Sequence, residues 1–465
     1  VKYLSTRGKA APLGFIDTLL AGLAPDGGLY CPETWPRLTA AEIAGFAGRP
    51  YAEVAADILA RFAGDEIPAS VLAGLCAEAY ASFDHPAVTP LVQLAPDRFL
   101  LELFHGPTLA FKDLAMQILG RLYAYVLGAR GRTMTIVCAT SGDTGGAAVG
   151  AFAGLPGVRL VVLFPEGRIS QVQRRFMTTT SAPNVRSVAV AGDFDDCQAI
   201  LKSLFQDEAF AAAVDLSAVN SINFARIIAQ TVYYFSAATA LGAPGRRVDF
   251  AVPTGNFGDA FAGYAARLMG LPIGRIVVAT NANDIVARAL ADGDYRRGNT
   301  RATQSPAMDI QVASNFERLF FECADRDAKV TAVAFQAFAA NGAVQAPPAV
   351  LSAMREVLVG EAVGEEETAA TIARTLVATG QLIDPHTAVA VAGAARARPS
   401  SAATPLVIVS TAHPAKFSEA VAEAAGVTPP PPSAVRALAD VPERIDRLPA
   451  EVEAVKRYVR EFVHR

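Results

Sequence analysis

Three short β-branched runs, each passing through a small polar loop into a helical pattern, constrain this chain more than any other feature. Residues 133–139 (TMTIVCA) lead into Thr140-Ser141-Gly142-Asp143-Thr144-Gly145-Gly146 and a helix over 147–153. Residues 248–252 lead into Pro253-Thr254-Gly255-Asn256-Phe257-Gly258-Asp259 and a helix over 260–269. Residues 406–409 lead into Ser410-Thr411-Ala412-His413-Pro414-Ala415-Lys416 and a helix over 417–425. With further strand candidates at 160–164, 185–190 and 276–279, this order predicts α/β architecture with largely parallel sheets. Ligands of such sheets sit beyond the carboxyl ends of the strands, where the next helix presents free N–H groups and the positive end of its dipole. Three loops of this kind predict a polar ligand gripped from several sides.

The first ninety residues read as a helical region, with helices over 40–47, 51–62 and 70–82. His85-Pro86 and Thr89-Pro90 interrupt regular structure and mark a boundary. The expected divisions are a helical N-terminal region over 1–90, an α/β domain over 91–240 and a second over 241–428. Beyond these lies a segment over 429–465 that opens on Pro429-Pro430-Pro431-Pro432 and closes on an amphipathic helix over 450–463. Residues 227–245 carry no charge over about the length of a membrane span. They hold Gln230, Thr231, Ser236 and Thr239, so a buried helix is expected and no membrane contact. A net charge of −4 over 465 residues offers no footprint for nucleic acid. Five cysteines without a C-x-x-C pair signal neither a metal site nor a disulfide framework, and with no apolar leader they fit a cytoplasmic setting.

Residues 102–113 read Glu-Leu-Phe-His-Gly-Pro-Thr-Leu-Ala-Phe-Lys-Asp. Gly106-Pro107 is a turn, and Thr108 is a suitable N-cap for a helix running to about Arg130. Lys112 then falls in the first turn, where the dipole and the flanking Phe111 and Leu114 favour the neutral amine that Schiff-base chemistry needs. The alternative is a solvated lysine paired with Asp113.

Seven segments, in order, resemble threonine synthase, a pyridoxal-phosphate (PLP) enzyme of fold type II, in the longer form of many bacteria and yeast. They are Tyr3-Leu4-Ser5-Thr6-Arg7-Gly8, Pro25-Asp26-Gly27-Gly28-Leu29-Tyr30, Phe104 to Asp113, Ala139 to Gly145, Ser221-Ile222-Asn223-Phe224-Ala225-Arg226-Ile227, Gly255 to Asp259, and Ser410 to Phe417. The resemblance implies two parallel-sheet α/β domains with a mainly helical N-terminal region. It implies that Lys112 forms the Schiff base with the cofactor and moves protons. Gly255, Asn256, Phe257, Gly258 and Asp259 would cradle the cofactor phosphate, Asp143 would lie at the edge of the ring, and Thr411 would meet the ring nitrogen. An Asn often replaces Asp143 in shorter relatives; capping roles are the alternatives for Asp143 and Thr411.

The reaction so implied converts O-phospho-L-homoserine and water to L-threonine and phosphate. Candidates by residue type for the substrate and its phosphate are Ser141, Thr144, Asn223, Arg226 and Lys416, with Ser5, Thr6 and Arg7 as an N-terminal contribution. Arg226 and Lys416 are otherwise surface or structural ion-pair residues. His105 and His413 flank these motifs and are not assigned as bases. A phospho-lyase releasing 2-oxobutyrate is the rival within the fold class. A nucleotide-binding dehydrogenase is more remote, since Gly142-Asp143-Thr144-Gly145-Gly146 does not match G-x-G-x-x-G.

Overall fold

The protein is described by a computed structural model covering residues 1–464 except 218, 398–400 and 402. It contains two compact units, each interrupted in sequence: Val1–His105 with Ser221–Pro429, and Gly106–Asn220 with Pro430–Arg465, Arg465 itself lying outside the described residues.

The larger unit is built on a six-stranded sheet in the order Leu358–Ala362, Ile273–Thr280, Val248–Pro253, Leu406–Ser410, Arg98–Glu102, Leu91–Ala95. All neighbours are parallel except the last pair, an antiparallel hairpin at the edge. Leu100, Ala251, Val277, Ile383, Ala388 and Ile408 join strands to the Pro385–Arg396 helix in one apolar cluster. The N-terminal region is helical apart from Tyr3–Ser5, which pairs antiparallel with Tyr30–Pro32. Residues 227–240 of the uncharged stretch lie in the largely buried Phe224–Ala240 helix, and 241–245 follow its end. Among the described residues, no helix is long and apolar enough to cross a membrane.

The smaller unit is a five-stranded, all-parallel sheet in the order Asp446–Pro449, Val185–Ala191, Val158–Pro165, Met134–Ala139, Leu216–Ser217. Its central strands, Met134–Ala139 and Val158–Pro165, are buried on both faces, the usual condition of parallel sheets. The C-terminal helix Val452–Val463 adds Val455, Val459 and Phe462 to a core with Val137, Val161, Val188, Ile200 and Leu204.

The units differ in bounds from the divisions expected of the sequence, for reasons of pairing. The Leu91–Ala95 and Arg98–Glu102 strands belong to the larger sheet, because Arg98–Glu102 runs parallel to Leu406–Ser410. The Phe224–Ala240 helix stays with the larger unit, because Asn223 Nδ2 donates to Leu19 O and Tyr234 donates to Asp259. The segment after the prolines is no separate body: it supplies an edge strand and a helix to the smaller unit.

A polar clamp fastens that returning segment. Glu443 accepts from Arg174 Nε and Nη2 at 2.9 Å each, from Arg175 Nη1 at 3.4 Å and from the Thr178 hydroxyl at 2.7 Å. The Arg174 hydrogen bond holds its carboxyl below the usual glutamate range. Arg175 Nη2 also donates to Val441 O at 2.8 Å. All three Glu443 partners stand on one short helix, Gln171–Thr178. Replacing Glu443 with Ala takes the acceptor from Arg174 and Thr178, while Arg175 keeps its backbone carbonyls, and is expected to lower stability by about 1–3 kcal/mol, read as a drop in the thermal midpoint.

Candidate active site

In the smaller unit the chemistry gathers at two helix starts. Lys112 is the first residue of the Lys112–Arg130 helix, and Asp143 the first of the Asp143–Phe152 helix. Both are buried, at 9 % and 5 % exposure. Lys112 Nζ lies 3.6 Å from Asp143 Oδ2 and 4.9 Å from the centroid of the Phe111 ring. Lys112 is therefore not a solvated lysine. Asp113 turns away from it: its two carboxylate oxygens accept from Thr108 N at 2.8 Å and Thr108 Oγ1 at 2.6 Å.

The helix begins later than Thr108 would place it. Asp113 N donates to Ala110 O and Leu114 N to Phe111 O, so residues 109–111 form a turn and Phe111 becomes the N-cap. Thr108 and Asp113 close that turn instead.

The 140–145 loop is held by a residue the sequence reading passed over. Thr140 Oγ1 accepts from Gly142 N and Gly145 N, each at 2.9 Å. Gly142 has φ +137, a conformation that L side chains rarely adopt. Gln173 Nε2 donates to Asp143 Oδ1 at 3.0 Å, a second contact not anticipated from sequence. Ser141 and Thr144 are half-buried in the same loop.

In the larger unit, the 255–259 loop joins the Val248–Pro253 strand to the Gly258–Leu268 helix. Phe257 takes the left-handed conformation at φ +65 and serves as N-cap. Asn256 ties the loop: its Oδ1 accepts from Gly258 N, and its Nδ2 donates to Ser221 Oγ at 2.6 Å. Asn315 donates to Asn256 O from its backbone N–H, and Arg318 Nη1 donates in turn to Asn315 Oδ1 at 2.5 Å. Gly255 lies against 307–310 so closely that a Cβ would stand 2.9 Å from Ala307 O. Ala307 N donates to His386 Nε2, which fixes that neighbour in turn.

The side chain of Asp259 points into the core. Tyr233 and Tyr234 donate to its Oδ1 at 2.5 and 2.8 Å, and burial first, then the carboxylate, pushes both phenols well above their ordinary range. Asn223 is the N-cap of the Phe224–Ala240 helix, accepting from Ala225 N while donating to Leu19 O. Arg226 and Lys416 are buried, at 3 % and 2 % exposure, and are not surface groups. Thr411 is buried immediately after the Leu406–Ser410 strand.

Ser5, Thr6 and Arg7 have protein partners. Ser5 donates to Asp26 Oδ1, Thr6 to Glu317 Oε1, and Arg7 places its fork on both Glu317 oxygens at 2.9 and 2.8 Å. The two N-terminal motifs thus brace one another and the buried Glu317. Beside the Arg98–Glu102 and Leu406–Ser410 strand ends, His105 Nε2 lies 2.8 Å from Glu102, and its ring is 5.1 Å from that of His85. His413 Nδ1 accepts from Ala415 N, and burial, then the His105 charge, lowers its pKa to about 4.

Three family models match consecutive parts of the chain: "Threonine synthase N terminus" over 2–80, "Pyridoxal-phosphate dependent enzyme" over 83–346, and "Threonine synthase, C-terminal" over 387–459. A threonine synthase of Pseudomonas aeruginosa is 46 % identical, covering 100 % of this chain and 99 % of its own. The crystal structure of a PLP-bound threonine synthase from Brucella melitensis superimposes with a TM-score of 0.97 at 49 % identity, over all of both chains. That of the yeast threonine synthase gives 0.93 at 37 %, covering 100 % of this chain and 99 % of its own. The chain belongs to the threonine synthase family of pyridoxal-phosphate-dependent enzymes.

Proposed function

We infer that this protein converts O-phospho-L-homoserine and water to L-threonine and phosphate, with pyridoxal 5′-phosphate as its cofactor. The observation that carries this reading is the buried amine of Lys112 held against Asp143 at two helix starts, in a member of that family. When bound, the cofactor supplies an aldehyde that condenses with amines and a ring that withdraws electrons from the substrate carbons.

The residues suit that group. Lys112 offers the amine. The 255–259 loop offers a helix start whose first-turn amides have no partner within the helix, which is the ordinary setting for a phosphate. The close packing of Gly255 on Ala307 and the left-handed Phe257 give the loop one shape, and its side chains hold it there. With its carboxylate held by two tyrosines, Asp259 would serve the phosphate through its backbone and by fixing the helix start. The Thr411 hydroxyl, which carries no charge, would leave the ring nitrogen neutral and the ring a milder electron sink.

Lys112 is the base that takes the proton from Cα and returns it. Asp143 stabilises the ammonium so formed at 3.6 Å. Arg226 and Lys416, with Ser141 and Thr144, are the groups by which we account for the substrate phosphate and carboxylate. Asn223 sets the first turn of the helix that carries Arg226. His413 acts as a neutral acceptor that shapes the turn before Lys416.

Three outcomes are expected. Lys112→Ala lowers turnover by at least about 10³-fold, since it removes the base and the amine together. Wild-type product analysis then gives threonine and phosphate in equal amounts; 2-oxobutyrate without threonine would defeat the reading. His413, with a pKa of about 4 in the folded protein and an ordinary one when unfolded, makes unfolding take up a proton between those values. Its contribution to stability is full above about pH 6.5 and is lost as pH falls towards 4. His413→Gln should flatten that part of the stability–pH curve by about one proton.

A further inference from the structure

Gln173 belongs to no catalytic motif, yet its carboxamide is oriented from both ends. It is the third residue of the Gln171–Thr178 helix, which starts with a capping box. Ser170 Oγ accepts from Gln173 N at 3.2 Å, and Gln173 Oε1 accepts from Ser170 N at 3.3 Å. With Oε1 taken by the cap, the amide nitrogen must point the other way, and it donates to Asp143 Oδ1 at 3.0 Å. The side chain is 5 % exposed. Gly142 leaves room for it: a Cβ there would stand 2.5 Å from Gln173 Cδ. The helix that carries it is fastened by Glu443 through Arg174, Arg175 and Thr178.

We propose that Gln173 is the positioning residue of Asp143: it donates to one oxygen so that the carboxylate stays ionised and keeps its other oxygen on Lys112. A carboxamide nitrogen is only a donor, so the contact favours the acceptor form of Asp143. The Lys112 Nζ contact, at 3.6 Å to Oδ2, draws on the same ionised form from the other side. Other charges nearby are directed elsewhere. Asp113 on the lysine helix closes the Thr108 turn, and Arg174 and Arg175 are bound to Glu443. The capping box therefore does two jobs, starting a helix and aiming a donor.

This rests on the functional reading above only for its catalytic consequence; the geometry belongs to the resting protein. Holoenzyme carrying Gln173→Met, which keeps length and bulk but removes the donor, is titrated by its visible absorbance between about pH 5 and 10. The transition is expected to move down by about one pH unit, the effect of losing one hydrogen bond to a charged group. A carboxylate no longer held at Oδ1 is free to turn Oδ2 away from the Lys112 nitrogen, which then loses its proton at lower pH. With O-phospho-L-homoserine, kcat should fall by about tenfold with little change in KM. A titration and a kcat that both match wild type would overturn the proposal and leave Gln173 as a helix cap. Should Gln173→Met bind no pyridoxal phosphate, the same titration on Ser170→Pro decides. Residue 170 has φ −62, which proline adopts, and the change removes the backbone N–H that engages Oε1 while Gln173 stays in place, so a downward shift supports the proposal and an unshifted transition overturns it. If the wild-type enzyme makes no threonine, the functional reading fails while the titration in that preparation still judges Gln173.

Discussion

An ammonium and a carboxylate out of water, each on the opening residue of a helix, form the contact on which the rest depends. Desolvation costs several kcal/mol for each ion, and only close pairing with further hydrogen bonds offsets it. The two helix dipoles act unequally here. At the start of its helix Asp143 is favoured and Lys112 disfavoured. The carboxylate is thus the partner that the dipole anchors, and the lysine is held in place against the dipole by the carboxylate. In the role proposed for Lys112, a base that takes and returns one proton benefits from that asymmetry.

Around this pair, many motif residues turn out to hold other residues. Asp113 closes a turn, Asn223 caps a helix, Asn256 laces its own loop, and Asp259 sits beneath two tyrosines. Arg7 neutralises Glu317 and Thr6 donates to it, instead of reaching outward. In the role proposed for it, the 255–259 loop meets a phosphate through its backbone and has little use for flexible side chains at the contact. What it needs is one conformation, and buried hydrogen bonds supply it.

The sequence made the strand–loop–helix units legible because β-branched runs, small polar loops and helical periodicity coincide there. The Met134–Ala139, Val248–Pro253 and Leu406–Ser410 strands lie within a residue or so of expectation. The Leu91–Ala95 and Arg98–Glu102 hairpin escaped notice, since prolines just before it suggested a boundary and its partner Leu406–Ser410 is remote in sequence. Leu358–Ala362 contains Gly360 and Glu361, weak strand formers that pairing with Ile273–Thr280 makes regular. Lys112 and the 255–259 loop could be picked out by local chemistry. Gln173 could not: Ser170-x-x-Gln173 announces only a helix start, and its aim at Asp143 depends on where the chain folds back.

The smaller sheet takes its Asp446–Pro449 edge strand, and part of the core beneath it, from the far side of a long excursion through the other unit. During synthesis, residues 106–220 therefore emerge well before the strand and helix that finish them. Val185–Ala191 must wait with one edge open, and Ile200 and Leu204 with part of their apolar surface wet. The lysine-bearing unit thus gains its final packing only once that returning strand and helix have been made.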